Sequence, residues 1–139
     1  MSAPEVAAGQ ELPARTYRVT RADLVRYAGA SGDRNPIHWS DRVATAVGLP
    51  GVIAHGMYTQ GLLARAAAEA LPGEVVEIGC KFTAPVVVPD DDEGVEVTFA
   101  GTVASVEDGL ATVRFEATCG GTKVLGAPRV VVRLAGPGA

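Results

Sequence analysis

The chain is poor in the residues that most often announce a function. Among 139 residues there are two cysteines and two histidines, and aromatic residues make up only 5%. Cys80 and Cys119 form no Cys-x-x-Cys pair, and each sits in an apolar, strand-like stretch, so both read as small buried hydrophobes. His38 and His55 stand seventeen positions apart. That is not metal-ligand spacing, and no metal is expected. A run of roughly eighteen apolar residues is also missing, which excludes a transmembrane helix. Met1–Gln10 lacks the basic and apolar regions of a signal peptide, so the expected location is the cytoplasm.

Positive charge is in deficit as well. Twelve Lys and Arg face sixteen Asp and Glu, for a net charge of −4, which argues against a nucleic-acid partner. The deficit is uneven. Residues 1–42 carry six Arg against five acids (Glu5, Glu11, Asp23, Asp33, Asp41), while the remainder carries six basic residues against eleven acids. A mixed surface accounts for this; the alternative is an acidic partner docking near the N-terminal arginines.

What is present is an ordinary globular composition, 47% hydrophobic and 20% charged. The length suits one domain over residues 1–139, with flexible ends at 1–9 and 135–139. The first half reads as helical and the second as strands, so the fold class is α+β. Thr20, with Asp23 three residues on, starts a first helix whose Leu24, Tyr27 and Ala28 share a face. Ser40 starts a short second helix that Gly48 and Pro50 stop near Val47.

A third helix is expected from about Gly56 to Ala70. Met57, Leu62, Leu63, Ala64, Ala66, Ala67, Ala68, Ala70 and Leu71 cover most of its circumference, and Arg65 and Glu69 form an i,i+4 pair on one narrow stripe. Such a helix should be buried on nearly every side. Strands are expected at Val75–Val88, Val95–Val106, Leu110–Cys119 and Lys123–Leu134, with turns at Asp108-Gly109 and Gly120-Gly121. Asp90–Glu93 reads as a solvated loop. An antiparallel sheet needs its apolar face covered, and the third helix is the element able to do it. The expectation is a curved antiparallel sheet wrapped around a long central helix.

The segment richest in chemistry is Tyr27-Ala28-Gly29-Ala30-Ser31-Gly32-Asp33-Arg34-Asn35-Pro36-Ile37-His38. Gly32 breaks the preceding helix, and Pro36 fixes its own φ while keeping Asn35 out of the α region. The result is a stiff loop displaying Asp33 and His38. A carboxylate and an imidazole held in this way suit general acid/base work. By spacing alone, an ordinary turn beside an ordinary histidine fits equally well.

The whole string resembles the signature of the MaoC-like, or hydratase-2, family. Tyr27, Gly32, Asp33, Asn35, Pro36, Ile37, His38 and Ala44 stand at its positions. Glu11-Leu12-Pro13, Ile53-Ala54-His55-Gly56-Met57 and Lys81-Phe82-Thr83-Ala84-Pro85-Val86 extend the likeness, which covers residues 10–134. Within the family the chain looks most like the B subunit of actinobacterial type II fatty-acid-synthase (3R)-hydroxyacyl-ACP dehydratases.

The resemblance implies a single hot-dog fold and an (R)-specific hydratase/dehydratase acting on acyl thioesters without a cofactor. Asp33 and His38 would be the catalytic pair. His38 would take the C2 proton in dehydration, and Asp33 would protonate the departing C3 hydroxyl. Negative charge developing on the thioester oxygen needs donors placed in advance, and the amide of Gly56, where the buried helix opens, is the best candidate. His55, Met57 and Thr59 are further substrate-binding candidates at that helix start, with His55 a structural residue or a second base. Asn35 would orient the loop or touch substrate. Some family members carry a serine on the central helix, where Gly61 stands here; Tyr58 and Thr59 are the nearest hydroxyls. The carrier is acyl carrier protein or CoA, and Arg26, Arg34 and Arg42 suit either. An exposed sheet edge implies a homodimer, or a heterodimer with a related hot-dog subunit. The alternatives are an (R)-specific enoyl-CoA hydratase, a polyketide tailoring dehydratase, a thioesterase, or a non-catalytic thioester-binding subunit.

Overall fold

The strand-rich second half supplies the frame. A computed structural model of the chain describes residues 5–136. Its strands are β1 (Arg15–Val19), β2 (Gly73–Phe82), β3 (Val95–Glu107), β4 (Leu110–Cys119), β5 (Thr122–Lys123) and β6 (Leu125–Leu134). Its helices are α1 (Arg21–Ser31), α2 (Asp41–Ala46) and α3 (Gly56–Ala70). The strands form one antiparallel sheet in the order β1-β3-β4-β6-β2, with β5 beside β4.

The turns follow from their residues. Asp108 (φ 52°) and Gly109 (φ 76°) both take left-handed backbone, the geometry that joins β3 to β4 with the twist of the strands. Gly120 and Gly121 do the same between β4 and β5. Along β3, Val97, Phe99 and Val103 are buried, and along β4, Ala111, Val113, Phe115 and Ala117. This period of two makes one face of the sheet continuous and apolar.

Helix α3 covers that face, packing on β2, β6 and β3. Thr59, Leu62, Leu63, Ala66 and Ala67 are buried beneath it. The alanines leave room for the sheet to come close, and Leu63 is fully enclosed. The expectation of burial on nearly every side does not hold. Met57, Gly61, Arg65, Ala68 and Glu69 are exposed, Met57 to 59%. Alanine is too small to force burial and is favoured anywhere in a helix, so the apolar circumference overstated the buried one. The Arg65–Glu69 pair forms, Nε to Oε1 at 3.2 Å.

Helix α1 starts at the capping box of Thr20 and Asp23 and ends at Gly32, which is left-handed at φ 80°. Helix α2 is capped by Ser40, whose hydroxyl accepts from the Val43 amide at 3.3 Å. Three strand expectations change. The edge strand β1 is an addition, since polar Thr16 and Arg18 alternating with apolar Tyr17 and Val19 over five residues are a short signal. The strand expected to reach Val88 stops at Phe82, and the segment beyond it, which contains Pro85 with no amide to donate, turns to meet residues 52–54. There the Ala54 amide donates to the Val86 carbonyl at 2.8 Å and the Val88 amide to that of Val52 at 2.9 Å. Lys123 belongs to β5, so the last long strand begins at Leu125.

In the acidic connection, Asp91 accepts from the Glu93 and Gly94 amides and the remaining carboxylates face solvent. Cys80 and Cys119 are free, half-buried and packed on the core, and burial pushes both thiols up. Of the ends expected to be flexible, residues 1–4 and 137–139 lie outside the described residues. The Gly9 amide donates to the Val103 carbonyl at 2.7 Å, and the Ala135 amide to that of Pro72 at 2.9 Å. No helix among the described residues is long and apolar enough to cross a membrane.

Gly94 admits β3 beside β1. At φ 65° it is left-handed, and a Cβ there would stand 2.0 Å from the Val19 carbonyl oxygen. Gly94→Ala is expected to cost more than about 1 kcal/mol, because the strain and the clash both act on the native state. Thermal unfolding should show a fall in Tm of at least about 3 °C.

Candidate active site

The loop between α1 and α2 is held by its own polar side chains. The Asp33 amide donates to Ser31 Oγ at 3.1 Å, the Asn35 amide to Asp33 Oδ1 at 3.2 Å, and the Ile37 amide to Asn35 Oδ1 at 3.2 Å. These are successive side-chain turns that replace the lost helical hydrogen bonds. Pro36 then opens a single 3₁₀ turn, Pro36–His38, with Asn35 as its cap. Trp39 Nε1 donates to the Arg34 carbonyl at 3.0 Å and closes the loop from outside. Asn35 is exposed and has this structural task.

His38 is carried inward, to 7% exposure. Its Nδ1–H donates to the Ile53 carbonyl at 2.8 Å. A carbonyl oxygen can only accept, so the proton sits on Nδ1 and Nε2 keeps its lone pair. That Nε2 lies 3.8 Å from Asp33 Oδ2. The two are too far apart for a direct hydrogen bond, yet one oxygen atom can reach both at ordinary distances. The Asp33 carboxylate is half exposed, so it meets solvent on its other side.

His55 lies behind this pair at 1% exposure. Its Nε2–H donates to the Asp33 main-chain carbonyl at 3.0 Å. Its ring stacks on that of His38, with centroids 3.9 Å apart and planes at 21°. The Tyr27 ring meets it edge-on at 4.8 Å, and Tyr58 packs on Tyr27 at 5.2 Å. Burial holds His55 below the usual histidine range. The unfolded chain therefore binds this proton more readily, so stability falls as pH drops below the ordinary histidine value and is full above it. Asp33, His38 and His55 offer ligand atoms within 4.8 Å of one another. The stacked rings, however, direct their in-plane lone pairs along near-parallel planes that do not converge, so the cluster fits a shared metal ion poorly.

A cavity of about 380 Å³ opens beside His38. Its walls are apolar, drawn from Leu49, Ile53, Phe82, Val86, Val124 and Leu125, with Gly56 and Thr59 at the start of α3. The Gly56 amide belongs to the first turn of that helix, where amides lack helical partners and the dipole is positive. The Phe82 ring stands over Gly56, and a Cβ on that glycine would lie 3.0 Å from Phe82 Cζ. His38 and the first residue of α3 thus line one apolar chamber, and the Asp33 carboxylate stands beside His38 at its margin, an arrangement suited to moving a proton next to a polarised oxygen.

Of the residues singled out from sequence, His38, Gly56 and Thr59 line the chamber, and Asp33 stands beside His38. Met57 points to solvent and Gly61 is exposed, so neither lines the chamber. Tyr58 is half-buried among rings outside the cavity lining, and burial raises its hydroxyl. Ile53, Phe82 and Val86 line the chamber without a sequence signal of a site role, although two of the matching strings contain them. Leu49, Val124 and Leu125 carried no signal beyond being apolar.

Known proteins resemble this chain over most of its length. The chain is 36% identical over 110 residues to 3-hydroxyacyl-thioester dehydratase X of Mycobacterium tuberculosis, covering 73% of this chain and 39% of that protein. It is 32% identical over 104 residues to an (R)-specific enoyl-CoA hydratase of Rhodospirillum rubrum, covering 73% and 69%. A solved MaoC-like dehydratase superposes with a TM-score of 0.88 at 38% identity, over 94% of this chain and 41% of the other. The (R)-hydratase from A. caviae involved in PHA biosynthesis shares the fold at a TM-score of 0.82 and 24% identity, over 96% of this chain and 100% of the other. The chain therefore spans about two fifths of the length of the first curated relative and of the first of these structures. The expected hot-dog fold and family likeness are borne out. A model of the MaoC like domain matches residues 5–119, and the chain belongs to that family.

Proposed function

We propose that this chain is an (R)-specific hydratase/dehydratase interconverting (3R)-hydroxyacyl and trans-2-enoyl thioesters, with Asp33 and His38 as its acid/base pair. One observation carries the reading: His38 Nε2, with its lone pair free, faces the Asp33 carboxylate at 3.8 Å beside an apolar cavity that also contains the first amide of α3.

In the dehydration direction, His38 Nε2 takes the proton from C2. The charge left on the thioester oxygen is met by the Gly56 amide and the positive end of α3. The C3–O bond breaks as the Asp33 carboxyl gives its proton to the hydroxyl, and water leaves. The proton on His38 returns to Asp33 across the gap and resets the pair. Hydration is the reverse, with a water molecule held between the two groups. The acyl chain takes the apolar part of the cavity, and Thr59 stands where it can touch the substrate. The exposed Arg34 and Arg42 suit an acidic carrier protein or the phosphates of CoA.

The chain acts as one hot-dog domain and pairs with a second one, a copy of itself or a related subunit, at the exposed edge strand β2. That ten-residue edge keeps Val76 and Phe82 exposed at 40% and 55%, a combination that partner chains usually cover. Complexes of this fold are known: the HadBC (3R-hydroxyacyl-ACP dehydratase) complex of Mycobacterium tuberculosis superposes with a TM-score of 0.70 at 18% identity.

Following loss of enoyl absorbance with crotonyl-CoA, and with the same acyl group on a carrier protein, tests the reaction and ranks the carriers. Chiral analysis should find the (3R) product. Asp33→Asn and His38→Ala should each lower kcat by about a hundredfold or more with the fold retained; near wild-type rates in both would sink the assignment. Gly56→Ala should leave the melting temperature nearly unchanged, because the half-exposed Phe82 ring can yield. Its kcat/KM should fall about tenfold or more as the thioester is held off the helix amide.

A further inference from the structure

The pair Asp33 and His38 is a loop carboxylate and a buried ring from opposite ends of a six-residue segment. Their own turns fix each locally, but those contacts do not fix one against the other. His55 touches both. Its Nε2–H is tied to the main-chain carbonyl of Asp33, and its ring lies face to face on His38 at 3.9 Å.

We propose that His55 is a positioning residue, a neutral ring whose donor and face together set the distance between Asp33 and His38. The kinetic part of this inference rests on the proposed reaction; the structural part does not.

Three observations separate this role from that of a second base. A base needs a lone pair reaching substrate, and His55 is enclosed at 1% exposure with its Nε2–H committed to the Asp33 carbonyl. Its remaining lone pair, on Nδ1, is buried and has no hydrogen-bond partner. The groups packed round the ring also favour one protonation state. His38 and Asp33 face it from the loop, Tyr27 from α1, and Tyr58 stands beyond Tyr27 on α3. A proton on His55 would place a second cation against His38 whenever that ring is charged, in a site with little water to screen it. Of the two neutral tautomers, the Nε2–H form is the one that keeps Asp33 tied, because Nδ1 has nothing to donate to.

With only two histidines in the chain, imidazole ¹⁵N spectra are simple to assign, His55→Gln removing one set of signals. In the wild-type protein, His55 should titrate below the ordinary histidine range and carry its proton on Nε2 when neutral, while His38 shows the Nδ1–H form when neutral. Ordinary titration of His55, or a proton on its Nδ1, would overturn the proposal without touching the proposed reaction.

Two variants then divide the contacts. His55→Phe keeps a stacked ring and loses the donor; His55→Gln keeps an amide donor and loses the stack. Each should lower kcat about tenfold to a hundredfold, with KM within about twofold of wild type. A purely structural residue would instead change melting temperature and leave kcat per folded molecule unaltered, which refutes the proposal. If neither variant folds, the wild-type spectra decide.

Discussion

The burial of one face of α3 against the sheet is the contact on which the remainder of the molecule depends. Leu62, Leu63, Ala66 and Ala67 seat the helix on β2, β6 and β3, and the small side chains bring it close. Because the helix is fixed along its length, its first turn is fixed too. Gly56 then faces the apolar chamber, and His55 immediately before it reaches back under the α1–α2 loop. Leu63→Ala would remove 2–5 kcal/mol by the usual cost of emptying a core site, roughly, and would loosen both ends of this arrangement at once.

Polar economy explains the rest of the site. A loop that leaves a helix after Gly32 and enters a 3₁₀ turn at Pro36 must satisfy its own amides. Ser31, Asp33 and Asn35 do so with short side chains, while His38 Nδ1–H and His55 Nε2–H donate to the carbonyls of Ile53 and Asp33. Each of these bonds also sets a chemical property. The Ile53 carbonyl selects the tautomer that frees Nε2 of His38, and burial keeps His55 neutral.

The surface carries a second constraint. Strand β2 is an edge with exposed Val76 and Phe82, and Met57 at the head of α3 is exposed as well. The other edge strand, β1, is short and carries Arg15 and Arg18, the kind of edge that resists further pairing. The two edges of the sheet are thus unlike, and only one has the length and apolar character that invite a partner.

Local rules and the family string made much of this legible beforehand. The capping box at Thr20, the Gly32 stop, the Ser40 cap, the bounds of α3 and the primed turn at Asp108-Gly109 are decided by neighbours within four residues, so the sequence by itself determined them. It also determined that Asp33 and His38 would be displayed on a stiff loop. Other features depended on contacts across the fold. Which side of α3 is buried, where Pro85 diverts the chain after β2, and that Met57 faces out while Phe82 covers Gly56 all rest on packing between distant segments. The same holds for the stack of His55 on His38, seventeen positions apart. No local propensity encodes it; the seating of α3 on the sheet brings the two rings face to face.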